Sequence, residues 1–304
     1  PQTAATTPDP RPFQRARSPA QIVRQASDDF TLQFRRAWRV SSRWLPQGWV
    51  DALRQLALFA GAYYVYRIVR GLVDGQATLA FENARTLVDI ERTLGLFFEP
   101  GLQAWAQGQE WVVTGANWMY VNSHFVITTT FLIWLYIFRN QSYYYVRNMF
   151  MIAMGLALVG YMAFPTAPPR YMPEWGFTDT VSAFVGPQAE ASVNVLYNPF
   201  AAVPSMHVAF ALMVGIPAIR IVQHRSLKVL WALYPAVVTF VVVVTANHFW
   251  LDAALGALVA AISAWGASYA LGRARPHVWG WRSGGVRAGA LGGSPMGAHW
   301  RAIG

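Results

Sequence analysis

Three short stretches hold the side chains best suited to chemistry: PTAPPR (165–170), AAVPSMH (201–207) and NHFWLD (247–252). Together they supply two histidines, one aspartate and one arginine. His248 and Asp252 are four residues apart at the start of an apolar run, a spacing that puts both side chains on one face of a helix. An aspartate so placed can accept a hydrogen bond from one ring nitrogen of His248. The tautomer is then fixed and the other nitrogen is left free to attack an electrophile. The plainer reading is a buried pair that ties two helices together. In a membrane span an ionisable pair is costly, and this cost favours a functional role.

In the second stretch, Pro204 suits the first turn of a helix, where its missing N–H is not needed. Ser205 and His207 would then sit in that turn, among free backbone N–H groups at the positive end of the helix dipole. Such an end is a ready phosphate site. A protonated His207 could pass its proton to a leaving oxygen, although Ser-x-His at a helix start can equally be a simple cap. Arg170 follows a proline-rich turn at the end of an apolar run. A guanidinium there can hold two phosphate oxygens, or merely snorkel to the headgroups. The combination carries the reading: a phosphoryl site able to break an ester bond with protein groups alone. The sequence has no metal-ligand constellation and no glycine-rich nucleotide loop, so we expect neither a metal nor a cofactor.

These stretches need a scaffold, and the composition describes one. Of 304 residues, 55% are hydrophobic and only 12% charged, unlike an ordinary soluble domain. A bilayer crossing takes about 20 apolar residues in a helix. Residues 111–138 contain no charged side chain and one histidine, His124; 149–167, 229–246 and 253–271 contain no charged side chain. Residues 204–219 form a shorter run whose single titratable group is His207. We expect spans near 111–138, 147–165, 204–222, 229–247 and 248–271. A sixth, 56–73, is interrupted at its far end by Arg67 and Arg70, which can snorkel. Residues 78–109 are amphipathic and read as one or two interfacial helices broken at Pro100-Gly101, a lid or wall over the site.

The expected fold is therefore an all-α integral membrane bundle of six transmembrane helices, with an interfacial amphipathic segment between the first two. Residues 55–271 form the membrane domain, between a basic, Pro/Arg-rich tail (1–54) and a second basic tail (272–304). Near the end of the first tail, Phe30, Leu32, Phe34, Trp38 and Trp44 interleave with Arg35, Arg36, Arg39 and Arg43. This pattern suits an anionic membrane surface, while the beginning of the tail reads better as solvated and disordered. It lacks the apolar stretch of a signal peptide, so no cleavage is expected.

The net charge of +10 could point to nucleic acid, but 23 of the 24 basic residues are arginines and their placement follows membrane orientation. With the N-terminus inside and six alternating spans, 19 of the 24 fall on inside segments. Ten of the 14 acidic residues fall outside. Both termini are thus expected in the cytoplasm of a multi-pass cell-membrane protein, with all three stretches on the outer face. The absence of cysteine excludes disulfides and thiolate metal sites and leaves the redox compartment open.

The order PTAPPR, PSMH, HFWLD resembles the type 2 phosphatidic acid phosphatase superfamily, whose motifs run roughly KxxxxxxRP, PSGH and SRxxxxxHxxxD. The chain looks most like the branch that contains inositol phosphorylceramide synthases, and the resemblance covers about residues 60–271. It implies a six-helix membrane bundle and chemistry through a phosphohistidine. By the same resemblance His248 is the nucleophile, Asp252 its orienting partner and His207 the general acid. Arg170 and Ser205 would contact phosphate. The sequence departs from the pattern in places: Ala163 stands where the first motif has lysine, Val241 and Val242 where the third has Ser-Arg, and Met206 where PSGH has glycine.

A free phosphate dianion would be poorly neutralised by one arginine. A phosphodiester needs less, and this favours head-group transfer between lipids over hydrolysis of a phosphomonoester such as phosphatidic acid or a prenyl diphosphate. Arg85 or Arg92 folding over the site would undo that preference. The partners expected are a lipid phosphate or phospholipid donor, a hydroxyl acceptor and the bilayer itself.

Asn122 and His124 could line a head-group pocket, although interhelical hydrogen bonding is the favoured reading. Trp250 could flank the lipid's glycerol or sugar. Tyr197 and Asn198 are read as loop packing, and Trp118, Trp134 and Tyr143 to Tyr145 as interface anchors. His224, His277 and His299 fall too far from this site. A proton-coupled transporter would instead place titratable groups deep within spans, with repeated halves. No internal repeat is found.

Overall fold

The computed structural model describes residues 32–33, 45–72, 76–186 and 200–281. Most of the aromatic and arginine-rich first tail, Tyr197, Asn198 and the tail from 282 lie outside them, as do the side chains of Arg67 and Arg70. The chain divides between Ala52 and Leu53, inside the first long helix, α1 (Gly48–Leu72). Everything below concerns the second unit, Leu53–Gly304.

After α1 come α2 (Ala77–Thr93), α3 (Glu99–Gln107), α4 (Glu110–Phe138), α5 (Asn140–Ala163), the short α6 (Thr180–Val185) and α7 (Met206–Ile221). The described chain ends with α8 (Arg225–Val244), α9 (Trp250–Ala274) and α10 (Pro276–Trp279). Among the described residues there is no strand, and an isolated bridge joins Thr166 to Ala201. Helices α4, α5, α8 and α9 have 29, 24, 20 and 25 residues and are apolar enough to cross a bilayer, against the roughly 20 residues a ~30 Å hydrocarbon core demands. Helix α7 is equally apolar but only 16 residues long. Trp111, Phe125, Val159 and Trp265 stand exposed on these helices, where a soluble helix would turn a polar face outward. Four such helices mark a membrane protein.

Lipid gives apolar helices little reason to associate, so close packing at small residues must hold them. Gly215 of α7 lies so near α8 that a Cβ would stand 2.7 Å from the Trp231 carbonyl oxygen. Gly160 of α5 faces Pro204, whose Cδ would be 2.6 Å from such a Cβ. Gly256 of α9 lies against the backbone carbonyl of Ser205, closer still.

The region between α1 and α4 departs from expectation in one detail. The break between its helices falls at 94–98, where Gly95 takes a left-handed φ of 69°, and Pro100 lies in the first turn of α3. A first-turn proline forfeits no helix hydrogen bond, so Pro100-Gly101 starts a helix instead of breaking one. The left-handed glycine supplies the stop.

One face of α2 buries Ala80, Ala84, Leu87, Val88 and Glu91. That face packs into a core shared with Ala167, Val203 and Phe249, one residue from each of the three chemical stretches. Backbone hydrogen bonds lace the stretches together. The Thr166 N–H donates to the Phe200 carbonyl (2.8 Å), the Arg170 N–H to that of Ala246 (2.8 Å) and the Ser205 N–H to that of Asp252 (3.0 Å). The Ala167 N–H donates to the Ala80 carbonyl of α2 (3.0 Å).

Candidate active site

The third stretch is a tight turn before it is a helix. After α8 the chain passes through Ala246 at φ 51°, and the N–H groups of Asn247 and His248 both donate to the Val242 carbonyl (3.0 and 3.1 Å). Helix α9 starts at Trp250, so His248 precedes it and does not share a helical face with Asp252 as the spacing predicts. What joins them is capping. The first N–H groups of a helix need acceptors, and Asp252, in the first turn, turns its Oδ2 back to the Phe249 N–H at 3.0 Å. The same oxygen lies 3.4 Å from Nδ1 of His248. Both side chains are buried. With Nδ1–H held towards Asp252, the Nε2 lone pair of His248 is the one available to attack.

The second stretch also differs in register. The Val203–Pro204 peptide is cis, Ser205 is the N-cap and α7 begins at Met206, so Pro204 lies just before the helix instead of in its first turn. Ser205 makes no capping bond with its side chain, and its Oγ is buried without a hydrogen-bond partner. Two residues on, the His207 ring stacks on Tyr120 (centroids 4.7 Å apart) and lies 4.6 Å from the His124 ring. The His248 ring stands 5.6 Å from it, edge to face. A π-helical segment in α4, Met119–Ser123, immediately precedes His124. Wide turns of this kind recur at functional sites, and here Tyr120 and His124 both meet His207.

The structure thus gathers His207, His248, Asp252 and His124. It leaves Asn122 aside: that side chain is exposed and donates to the Trp118 carbonyl of its own helix (3.0 Å). The Nε1 of Trp250 is buried without a partner. His124 packs across helices, against His207 and Phe210.

Arg170 sits in a 3₁₀ turn, Pro169–Tyr171, and is buried. Its guanidinium donates to Oδ1 of Asn247, the residue before His248, and to the Tyr171 hydroxyl (3.3 Å). Nε lies 3.6 Å from Oδ2 of Asp179. A phosphate arriving here would compete with Asp179 for this cation.

Two acidic side chains enter the region that sequence reasoning passed over. Glu99 Oε1 accepts the Trp250 N–H (3.0 Å) and Glu91 Oε1 accepts the Leu251 N–H (2.9 Å). Neither side chain is exposed. Burial first, and then the neighbouring Glu99, raises the Glu91 carboxyl from 4.5 to about 9. A signal was present in the sequence: Glu91 continues the 80, 84, 87, 88 spacing of the buried face of α2.

The positive end of α9 is therefore filled by three acidic side chains, Glu91, Glu99 and Asp252. At the corresponding end of α7 the Ser205 hydroxyl is buried without a hydrogen-bond partner. Among the described residues no group of three or more His, Cys, Asp or Glu side chains could hold a metal ion.

Neither the curated proteins nor the solved structures contain a match to this chain. A family model described as the PAP2 superfamily matches residues 85–266, a span that takes in all three stretches and both glutamates. With two facing histidines, an aspartate behind one of them and four helices able to cross a bilayer, the chain belongs to the PAP2 superfamily, and its function is of the lipid phosphatase or phosphotransferase kind.

Proposed function

We propose that this chain is an integral membrane phosphotransferase that moves a phosphoryl head group between lipids through a phosphohistidine at His248, without a metal. The observation that carries the reading is the close approach of the His207 and His248 rings, 5.6 Å between centroids, with Asp252 behind His248 at 3.4 Å. In the first half-reaction Nε2 of His248 attacks phosphorus. A P–N bond forms, the P–O ester bond breaks, and His207 gives its proton to the departing alkoxide. In the second, His207 takes the proton of an acceptor hydroxyl, whose oxygen attacks phosphorus and breaks the P–N bond. Ser205 and the start of α7 hold the phosphate oxygens, with Arg170 as the nearby cation. His124 walls the pocket beside His207, and Trp250 flanks the donor.

Charge supports transfer over hydrolysis of a monoester. Val241 and Val242 are buried apolar groups where the family pattern has Ser-Arg, and Arg170 already faces Asp179. The two arginines of α2 with reach are engaged, Arg85 with Glu174 at 3.9 Å and Arg92 over the rings of Phe97 and Trp175. A singly charged phosphodiester is easier to neutralise here than a dianion. The aromatic packing around His207 also limits water, the competing acceptor. In this reading the fold is a six-span bundle with α2 and α3 at the interface, both termini inside and the site on the outer face. The chain acts, in this reading, in the manner of an inositol phosphorylceramide synthase.

The test uses the purified full chain in liposomes, with EDTA present. The donor is phosphatidylinositol labelled in its phosphate, and ceramide is supplied as the acceptor. Labelled product lipid is expected, together with an acid-labile label on the protein. Both should fall by at least about 10³-fold in His248→Ala. Free phosphate from phosphatidic acid, with no labelled lipid, would make the enzyme a phosphatase. Equal signals from wild type and variant would remove His248 as nucleophile.

A further inference from the structure

We propose that Glu91 and Glu99 are positioning residues: a buried carboxyl pair sharing one proton that clamps the first turn of α9, and through it sets Asp252 and His248. The proposal rests on the phosphohistidine reading for its catalytic consequence, and on geometry alone for the clamp. Each glutamate accepts one backbone N–H at the start of α9, from Leu251 and Trp250 respectively. Asp252 accepts the N–H just before them, from Phe249. Three consecutive amides are thus held by three acids from three helices, and His248 is the next residue back. The Asp252 carbonyl in turn receives the Ser205 N–H, so the clamp extends to the start of α7.

The pair has a charge problem that a proton solves. Both side chains are fully buried, and Oε2 of each lacks a donor among the described groups. The groups acting on Glu91 are Glu99 and Asp252, both acidic, with only the Leu251 amide in opposition. Two bare carboxylates side by side in such a place would repel strongly, whereas one proton between the free Oε2 atoms converts repulsion into a hydrogen bond. The upward shift of Glu91 to about 9 agrees with this. Such a group holds a proton in the folded chain that the unfolded chain releases. Its contribution to stability is complete below about 4.5 and is lost as the pH rises towards 9.

Four variants of the full chain in detergent or nanodiscs decide the matter: Glu91→Gln, the double Glu91→Gln/Glu99→Gln, the double Glu91→Ala/Glu99→Ala, and His248→Ala as the blank. Infrared spectra at pH 7 should show the carbonyl stretch of a protonated buried acid, absent from the double Gln variant. Wild-type Tm should fall between pH 6 and pH 9, and Glu91→Gln, which keeps the shape without the titration, should flatten that fall. Amide exchange across 248–252 should accelerate in the double Ala variant. Turnover of labelled phosphatidylinositol should drop by about 10²-fold in that variant, with little change in KM, as expected of reacting groups set askew. Glu91→Gln should restore turnover and extend it to higher pH.

A missing infrared band, or a wild-type Tm profile that Glu91→Gln leaves unchanged, would overturn the shared proton. Unchanged exchange and turnover in the double Ala variant would overturn the clamp. Should His248→Ala turn over like wild type, the phosphohistidine reading fails instead, while the band and the exchange rates still judge the pair.

Discussion

Ser205 separates binding from stability more cleanly than any other side chain in the site. Its hydroxyl is wholly buried and has no hydrogen-bond partner, which is a cost to the unliganded fold of about 1–3 kcal/mol. In the phosphotransferase reading proposed above, a phosphate oxygen supplies the missing partner. Ser205→Ala removes the orphan, so the purified protein should melt at the same temperature or higher. The same change should lower kcat/KM for a labelled lipid donor by about 10- to 100-fold, the worth of one hydrogen bond to a charged group. A large fall in Tm would instead show that the hydroxyl has a structural partner. That His207, His248 and Asp252 belong together was legible in the sequence because titratable side chains are rare in such apolar surroundings. The geometry that joins them was not. Four-residue spacing points to a shared helical face, whereas Asp252 reaches His248 by capping a helix that starts after it.

Among the elements, the long helices could be read from composition, since four runs of 18 to 28 residues without a charged side chain in one chain point to spans. The irregular joints could not. The π-helical turn before His124 leaves no mark in the hydropathy pattern. The break before α3 depends on a left-handed glycine at 95, while the more conspicuous Pro100-Gly101 starts a helix. Nor does the sequence show which glycines are contacts. Gly256 is one: a methyl group there would run into the Ser205 carbonyl, a backbone atom that cannot step aside without moving the N-cap of α7. Gly155 of α5 has nothing within 4 Å of the same position. Helix propensity favours alanine over glycine by about 1 kcal/mol at both sites, and overpacking opposes it only at Gly256, by roughly 1–3 kcal/mol. Gly155→Ala should therefore hold or raise Tm, while Gly256→Ala should lower it and depress turnover by shifting Ser205 from its place beside α9. Similar Tm values for the two variants would mean that α7 and α9 are less closely packed than the structure shows.

For the whole molecule the decisive quantity is the side of the membrane on which the site lies, because it determines which lipids and acceptors can reach His248. Charge gives the prediction. Nineteen of 24 basic residues fall on one set of segments if the spans alternate from an inside N-terminus, and basic residues are retained on the cytoplasmic side. The turn between α7 and α8, with Arg220, Arg225 and Lys228 around it, is then inside, and the 3₁₀ turns after α5, with Arg170 and the exposed Glu174, are outside. Because the chain has no cysteine, an introduced one is its sole thiol and reports its own position without background. Gln223→Cys and Glu174→Cys are both at exposed positions, and neither residue belongs to the cluster of His124, His207, His248 and Asp252. In intact cells a membrane-impermeant maleimide should label Glu174→Cys and leave Gln223→Cys untouched until the membrane is opened with detergent. The reverse pattern would invert the bundle and place the site among cytoplasmic lipids. Labelling of both before opening would mean that the two turns lie on the same side, and that the chain between α5 and α8 crosses the bilayer an even number of times. A headgroup presented on the outer leaflet reaches Ser205 and His207 directly only where Glu174→Cys is labelled in intact cells.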